Sequence, residues 1–143
     1  ENAFYGAKFL ETACFPSVKE MWYAAFRDCF MLKEFTVLTP VTRLTGGNGE
    51  SFSGCSALEK ADININKIDD RFFWGCKALN ALVLRKADAI TVNGGTNTFT
   101  GSAIATGVGH IYVPSALLDE YKSATNWSVY ADQFRTIEGS EYE

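Results

Sequence analysis

"FSGCSAL" (residues 52–58) and "FWGCKAL" (residues 73–79) are one phrase written twice, 21 positions apart, with five residues shared at identical offsets. The phrase F-x-[GD]-[small]-x-x-[apolar] recurs along the chain. It reads Phe4-Tyr5-Gly6-Ala7 with Leu10, Phe26-Arg27-Asp28-Cys29 with Leu32, and, degraded, Phe99-Thr100-Gly101-Ser102 with Ile104 or Ala105 in the apolar slot. From Phe4 through Phe26, Phe52, Phe73 and Phe99 the intervals are 22, 26, 21 and 26. A fixed period in this range is the mark of a repeat architecture, and leucines at fixed offsets match the leucine-rich solenoid class.

The rest of each repeat agrees. Nine and eleven residues after each Phe stand Ala13 and Phe15, Phe35 and Val37, Ala61 and Ile63, Leu82 and Leu84. That is period 2, a half-buried strand. A second apolar pair follows: Val18 and Met21, Val41 and Leu44, Ile65 and Ile68, Ala87 and Ile90. Each repeat therefore predicts one coil: a helical or turn segment carrying the Phe and Leu, then a strand, then a return segment. One coil cannot bury its own apolar face, whereas stacked coils share a core. Gly46-Gly47-Asn48-Gly49 and Asn93-Gly94-Gly95 lengthen two intervals and read as surface loops. The expected fold is an α/β repeat, a short leucine-rich-repeat solenoid of about five coils with parallel strands over 1–110, closed by a helical C-terminal cap over 111–143.

"AFRDCFML", "SFSGCSAL" and "FFWGCKAL" resemble the AF-x-x-C-x-x-L phrase of the BspA-like leucine-rich repeat family of bacterial surface and phage-associated proteins. The tail from Gly109 to Glu138 is similar to the terminal segment often found there. The resemblance covers nearly the whole chain and departs at Ala7, where Cys is usual. It implies a solenoid, an adhesion or recognition role and no catalytic residues in the repeat. A solenoid end exposes apolar core, so the tail reads as the plug. Ser115 is the expected N-cap of a helix with Leu117, Leu118 and Tyr121 on one face, and Trp127 the residue that closes the last coil.

Other chemistry finds little support. The basic and acidic counts of 13 and 17 give a net charge of −4, without the basic stripe of a nucleic-acid binder. The apolar runs fall short of the ~18 residues of a membrane helix. Cys14, Cys29, Cys55 and Cys76 lack C-x-x-C spacing, so no zinc site is expected. Cys29, Cys55 and Cys76 share one repeat position and predict an inward ladder of small buried side chains, as free thiols or with a disulfide between rungs. Asp62-Ile63-Asn64-Ile65-Asn66 opens like a calcium loop, but Lys67 and Phe73 stand where that loop needs Gly and Glu. Its alternation puts Ile63 and Ile65 inside and the Asx residues in solvent. A turn ion at Asp69-Asp70 and glycosylation at Asn126-Trp127-Ser128 are weaker readings. No phosphate loop or nucleophile elbow is present, and a cysteine nucleophile paired with His110 is not expected, since three cysteines belong to the core and Cys14 has no local activating context. Neither an enzyme nor a cofactor is expected. The opening at Glu1 without Met is taken as that of an excised or processed piece of a longer protein.

The candidate binding residues follow from the alternation. Side chains between and just after each inward pair point outward. They are Glu34, Thr36 and Leu38, Lys60, Asp62 and Asn64, and Ala81, Val83 and Arg85. Stacked coils place them side by side, a surface suited to a protein or glycan partner at a cell surface or in a virion. The slot after each Phe (Tyr5, Arg27, Ser53, Trp74, Thr100) is expected to face solvent. Trp22-Tyr23, Phe30, Phe72 and Trp74 are the aromatics that could anchor a partner. The alternative role is a structural or spacer domain of a larger surface or phage virion protein.

Overall fold

The computed structural model describes residues 2–42, 49–93 and 95–143. The first four Phe phrases form tight turns rather than helices, and the fifth starts on the last residue of a short 3-10 helix. The residue two places after the Phe is left-handed in every copy: Gly6, Asp28, Gly54, Gly75 and Gly101. At Gly54 the need is double, since φ is +79° and a Cβ there would meet Asp28 Oδ1 at 2.2 Å. A second left-handed position lies two residues before the Phe, at Asn2, Ala24, Glu50 and Arg71. These side chains hold a conformation costing about 1–2 kcal/mol each, so the packing of the coils must over-determine it.

That packing is a lattice of bonds from coil to coil. The Phe amides of Phe4, Phe26, Phe52 and Phe73 donate to the carbonyls of Ala25, Ser51, Phe72 and Thr98. The amides of Gly6, Asp28, Gly54 and Gly75 donate to those of Arg27, Ser53, Trp74 and Thr100. The cysteine thiols reach the other way. Cys29, Cys55 and Cys76 each donate Sγ–H to the carbonyl of the repeat Phe one coil back, at 3.1 Å to Phe4, Phe26 and Phe52. The repeated Phe, Gly and Cys thus have separate tasks: ring stacking, turn geometry and a backward bond. The five rings form a near-parallel stack with centroids 5.0, 5.3, 5.5 and 5.8 Å apart. Burial of one such ring contributes about 1.5–3 kcal/mol.

The strands are β1 (Thr12–Cys14), β2 (Glu34–Val41), β3 (Lys60–Ile65), β4 (Lys67–Ile68), β5 (Ala81–Leu84), β6 (Thr91–Val92), β7 (His110–Val113) and β8 (Phe134–Thr136). Six make one parallel sheet in the order β1-β2-β3-β5-β7-β8, and β4 pairs with β6 in a small parallel ribbon. In register across the inner face lie Ala13, Phe35, Ala61, Leu82, Ile111 and Phe134. All are buried. In the return segments Met21, Val41, Ile65, Ile68 and Ile90 are buried as expected. Ala87 is instead exposed, and Val92 takes the second apolar position of its coil through the β4–β6 ribbon. Leu44, residues 46–48 and Gly94 lie outside the described residues. Gly95 opens a 3-10 turn, Gly95–Phe99.

The sheet continues past residue 110, because β7 and β8 add rungs on either side of the helical segment. That segment holds a 3-10 turn (Ser115–Leu117), α1 (Leu118–Ser123) and a second 3-10 stretch (Ser128–Gln133). Ser115 is not an N-cap. It sits inside the first turn, and its amide donates to Glu138 Oε2 at 2.8 Å, so the capping carboxylate comes from the strand end instead. Trp127 is 1% exposed and closes the ring stack at 5.9 Å from Phe99. Its Nε1–H donates to the Ile90 carbonyl at 2.8 Å, while the Tyr121 hydroxyl accepts from the Ile90 amide at 3.0 Å. The Asn126 side-chain amide donates to the Val92 carbonyl at 2.8 Å. Side chains of this segment thereby take the place of the backbone that a further coil would offer.

Candidate functional site

The pleat that sends Phe35, Ala61, Leu82 and Ile111 inward sends their neighbours outward. Because the strands are parallel and in register, the outward side chains align in rows across the sheet. One row runs Thr12, Glu34, Lys60, Ala81, His110. The next runs Cys14, Thr36, Asp62, Val83, Tyr112, Arg135. Asn64 and Leu38 extend the face further along β3 and β2, where the Asn64 amide donates to the Leu38 carbonyl at 2.9 Å.

The two halves of this face differ. On the β1–β3 side Glu34 and Leu38 are exposed, and Thr36, Lys60 and Asn64 are half-buried. Lys60 Nζ lies 3.1 Å from Glu34 Oε2 in a cross-strand ion pair. From Asp62 across β5 the expected open surface is covered, whereas Arg135 on β8 is exposed. Val83 is fully buried and Asp62 is only 7% exposed, so neither is a solvated strand residue. Arg85 explains Asp62: its Nε and Nη2 grip the two carboxylate oxygens at 2.7 and 2.8 Å, a planar fork matched to a carboxylate. This hydrogen bonding raises the Arg85 pKa further above its ordinary value. The C-terminal turn folds onto the same place. The Tyr142 carbonyl accepts from Arg85 Nη2 at 2.7 Å, and the Tyr142 ring meets Tyr112 edge-on at 4.6 Å. Burial first, and then the charge of Glu141, push the Tyr142 phenol up to about 12. Val83 sits in register between Asp62 and Tyr112.

The aromatic candidates are not gathered with the sheet. Trp22 is 37% exposed and lines an apolar groove at the N-terminal end with Phe4, Phe15 and Met21. Trp74 and Phe30 are exposed on the turn side, flanking a groove floored by Gly54, Gly75 and Gly101. Phe72 is a core residue, edge-on to Phe52 and Phe73. In the slot after each Phe, Ser53 is buried, while Tyr5, Trp74 and Thr100 are exposed and Arg27 is half-buried. Nearby, Glu50 takes a hydrogen bond from Tyr23 and ion pairs with Arg27 and Arg71. The Tyr23 bond first, then both arginines, hold the Glu50 carboxyl below its usual range against the effect of burial.

All four cysteines are free thiols: Cys14 exposed, the three repeat cysteines buried. Burial pushes the Cys76 thiol far above its ordinary value. Among the described residues no group of three potential ligands could hold a metal ion, and no helix is long and apolar enough to cross a membrane.

Comparison with known families decides the kinship. A profile of the BspA type leucine-rich repeat region matches residues 1–106 in six copies. The chain belongs to the BspA-type leucine-rich repeat family. The profile counts one copy more than the five Phe phrases. No curated protein and no solved structure matches the chain. Membership supports a protein-interaction, surface-associated module of a generally non-enzymatic kind. In this BspA-type domain the repeat reading located Glu34, Thr36, Lys60, Asp62, Asn64, Val83 and Arg85 on one face. It missed Tyr112, Arg135 and Tyr142. The alternation His110-Ile111-Tyr112-Val113 carried a signal for Tyr112, three residues later than the strand offset of the other coils. Tyr142 carried none, because its place depends on a contact 57 residues away.

Proposed function

We propose that this BspA-type domain is a non-enzymatic recognition or adhesion module that binds a protein or glycan partner at the cell surface. The binding surface is the outward face of the six-stranded sheet. The observation that carries this reading is the in-register alignment of Glu34 with Lys60 and of Thr36 with Asp62 across adjacent strands, with Asn64 and Arg85 continuing the same face. Neighbours within such a row are spaced about 4.8 Å apart by backbone bonding rather than by mobile loops. Rigid presentation lowers the ordering cost of binding, and solenoids use such surfaces. Placement outside the cell or in a virion accords with the surface association typical of the family. Trp22 and Trp74 are the competing anchors.

A second reading, a structural spacer within a larger surface or virion protein, is favoured by the N-terminal end. There Phe4 stacks, among the described residues, on Phe26 alone and remains 39% exposed, beside an apolar groove. The test is binding of the 143-residue chain to glycan arrays and matrix-coated surfaces, compared with a Lys60→Ala, Asp62→Ala, Arg85→Ala triple variant. Recognition through the sheet predicts at least about fivefold weaker binding by the variant, equivalent to about 1 kcal/mol. Undiminished binding by the variant, together with loss on Trp74→Ala, transfers the site to the turn side. No binding by either chain supports the spacer reading.

A further inference from the structure

The sheet face is already occupied, and the occupant describes the ligand. Residues 138–143 form a compact turn. The Ser140 amide donates to the Ile137 carbonyl at 3.0 Å, the Tyr142 amide to Ser140 Oγ at 3.1 Å, and the Gly139 amide to Glu143 Oε2 at 2.8 Å. These bonds hold the turn closed by itself. Its grip on the face is separate: Glu138 accepts from the Ser115 amide and the Thr136 hydroxyl at the base of the turn, and at its tip stand the Arg85–Tyr142 carbonyl bond and the Tyr112–Tyr142 ring contact. One reads main chain and the other an aromatic ring, the pairing by which a surface recognises a tyrosine in a peptide.

The charges suit the same class. Glu141 and Glu143 flank the tyrosine. On the face, Asp62 is bound by Arg85 and Glu34 is paired with Lys60, so its carboxylates are matched within the face itself when an acidic segment lies on it. Resting on the sheet-face reading, we propose that the Arg85–Tyr112 end of the face is a recognition site for a tyrosine on an acidic turn of a partner protein. The chain's own residues 138–143 hold that site in cis as a built-in competitor. A segment tethered this closely competes at an effective concentration on the order of millimolar. A partner must displace it, and loosening the turn raises partner affinity.

The test uses the octapeptide TIEGSEYE (residues 136–143), labelled and titrated into full-length chains up to millimolar concentration. The wild-type chain is expected to take it up at least tenfold more weakly than the Tyr142→Ala variant, in which the ring contact with Tyr112 is lost and the tethered turn competes less well. Adding Arg85→Lys to that variant, which keeps the charge and removes the fork, is expected to reverse the gain. Adding Tyr112→Ala is the parallel check should Arg85→Lys lower the melting temperature. Equal uptake by wild type and Tyr142→Ala, no uptake by either, or undiminished uptake after both second changes overturns the proposal. The sheet-face reading is judged apart from this. If wild type and Tyr142→Ala hold a glycan- or matrix-coated surface equally and both lose it on Lys60→Glu, the face stands and the competitor role falls.

Discussion

The two faces of the main sheet are built from the same strands, one residue out of step. Inward, every coil repeats the others: Ala13, Phe35, Ala61, Leu82, Ile111 and Phe134 fill one buried row, and the stacked rings of Phe4 to Phe99 oppose them. Outward, no row repeats. Cys14, Thr36, Asp62, Val83, Tyr112 and Arg135 share a position yet differ in charge, size and exposure. Stacking constrains the inner face, because a coil buries its apolar surface only against neighbours of the same shape. Nothing of that kind constrains the outer face, so it is free to encode a partner.

If the division is real, inner and outer substitutions separate cleanly. The largest effect is expected from Phe52→Ala. This ring is fully buried between Phe26 and Phe73, and its loss opens a cavity costing about 3–5 kcal/mol in denaturant unfolding. A cost under about 1 kcal/mol would mean that the stack is not the core.

Thiol chemistry sharpens the comparison within one residue type. In native buffer a maleimide is expected to react with Cys14 alone, and denaturant to release Cys29, Cys55 and Cys76. Fast native reaction of more than one thiol would contradict the inward ladder.

A pH measurement reaches the turn side. The Glu50 carboxyl, lowered by Tyr23, Arg27 and Arg71, contributes stability that is present above the unfolded value of about 4.3 and lost as pH falls through its lower folded value. The Glu50→Gln variant should show a shallower acid limb below about pH 4. An unchanged limb would remove Glu50 from the account.

At the small end lies Thr36→Ala on the outer face, expected to shift stability by no more than about 0.5 kcal/mol. A larger loss would show that the open half of the face is structural after all.

How much of this was legible in the sequence follows the same division. Phe, Gly and Cys at fixed offsets disclose the coil, because each has a task that only that residue type performs there. The inner strand rows follow from period 2. Ala87 misleads since the return segment of its coil is set by pairing of β6 with β4, which moves the apolar position to Val92. Ser115 misleads because a carboxylate from Glu138, 23 residues on, does the capping. On the outer face direction was readable and exposure was not. The alternation turns Asp62 and Val83 outward correctly, but both are buried, and the Arg85 fork on Asp62 is itself held by the Tyr142 carbonyl, a contact that no local pattern announces.

The most direct test places a bulky group on each side of the solenoid in turn. In a Cys14→Ser background, Thr36→Cys carries a large maleimide on the open half of the sheet face, and Ser56→Cys carries it in the turn-side groove beside Phe30 and Trp74. Binding to the glycan- or matrix-coated surface is then measured for both. Recognition through the sheet face predicts that the label at position 36 abolishes binding while the label at position 56 leaves it intact. Loss of binding from position 56, with position 36 silent, would contradict the account.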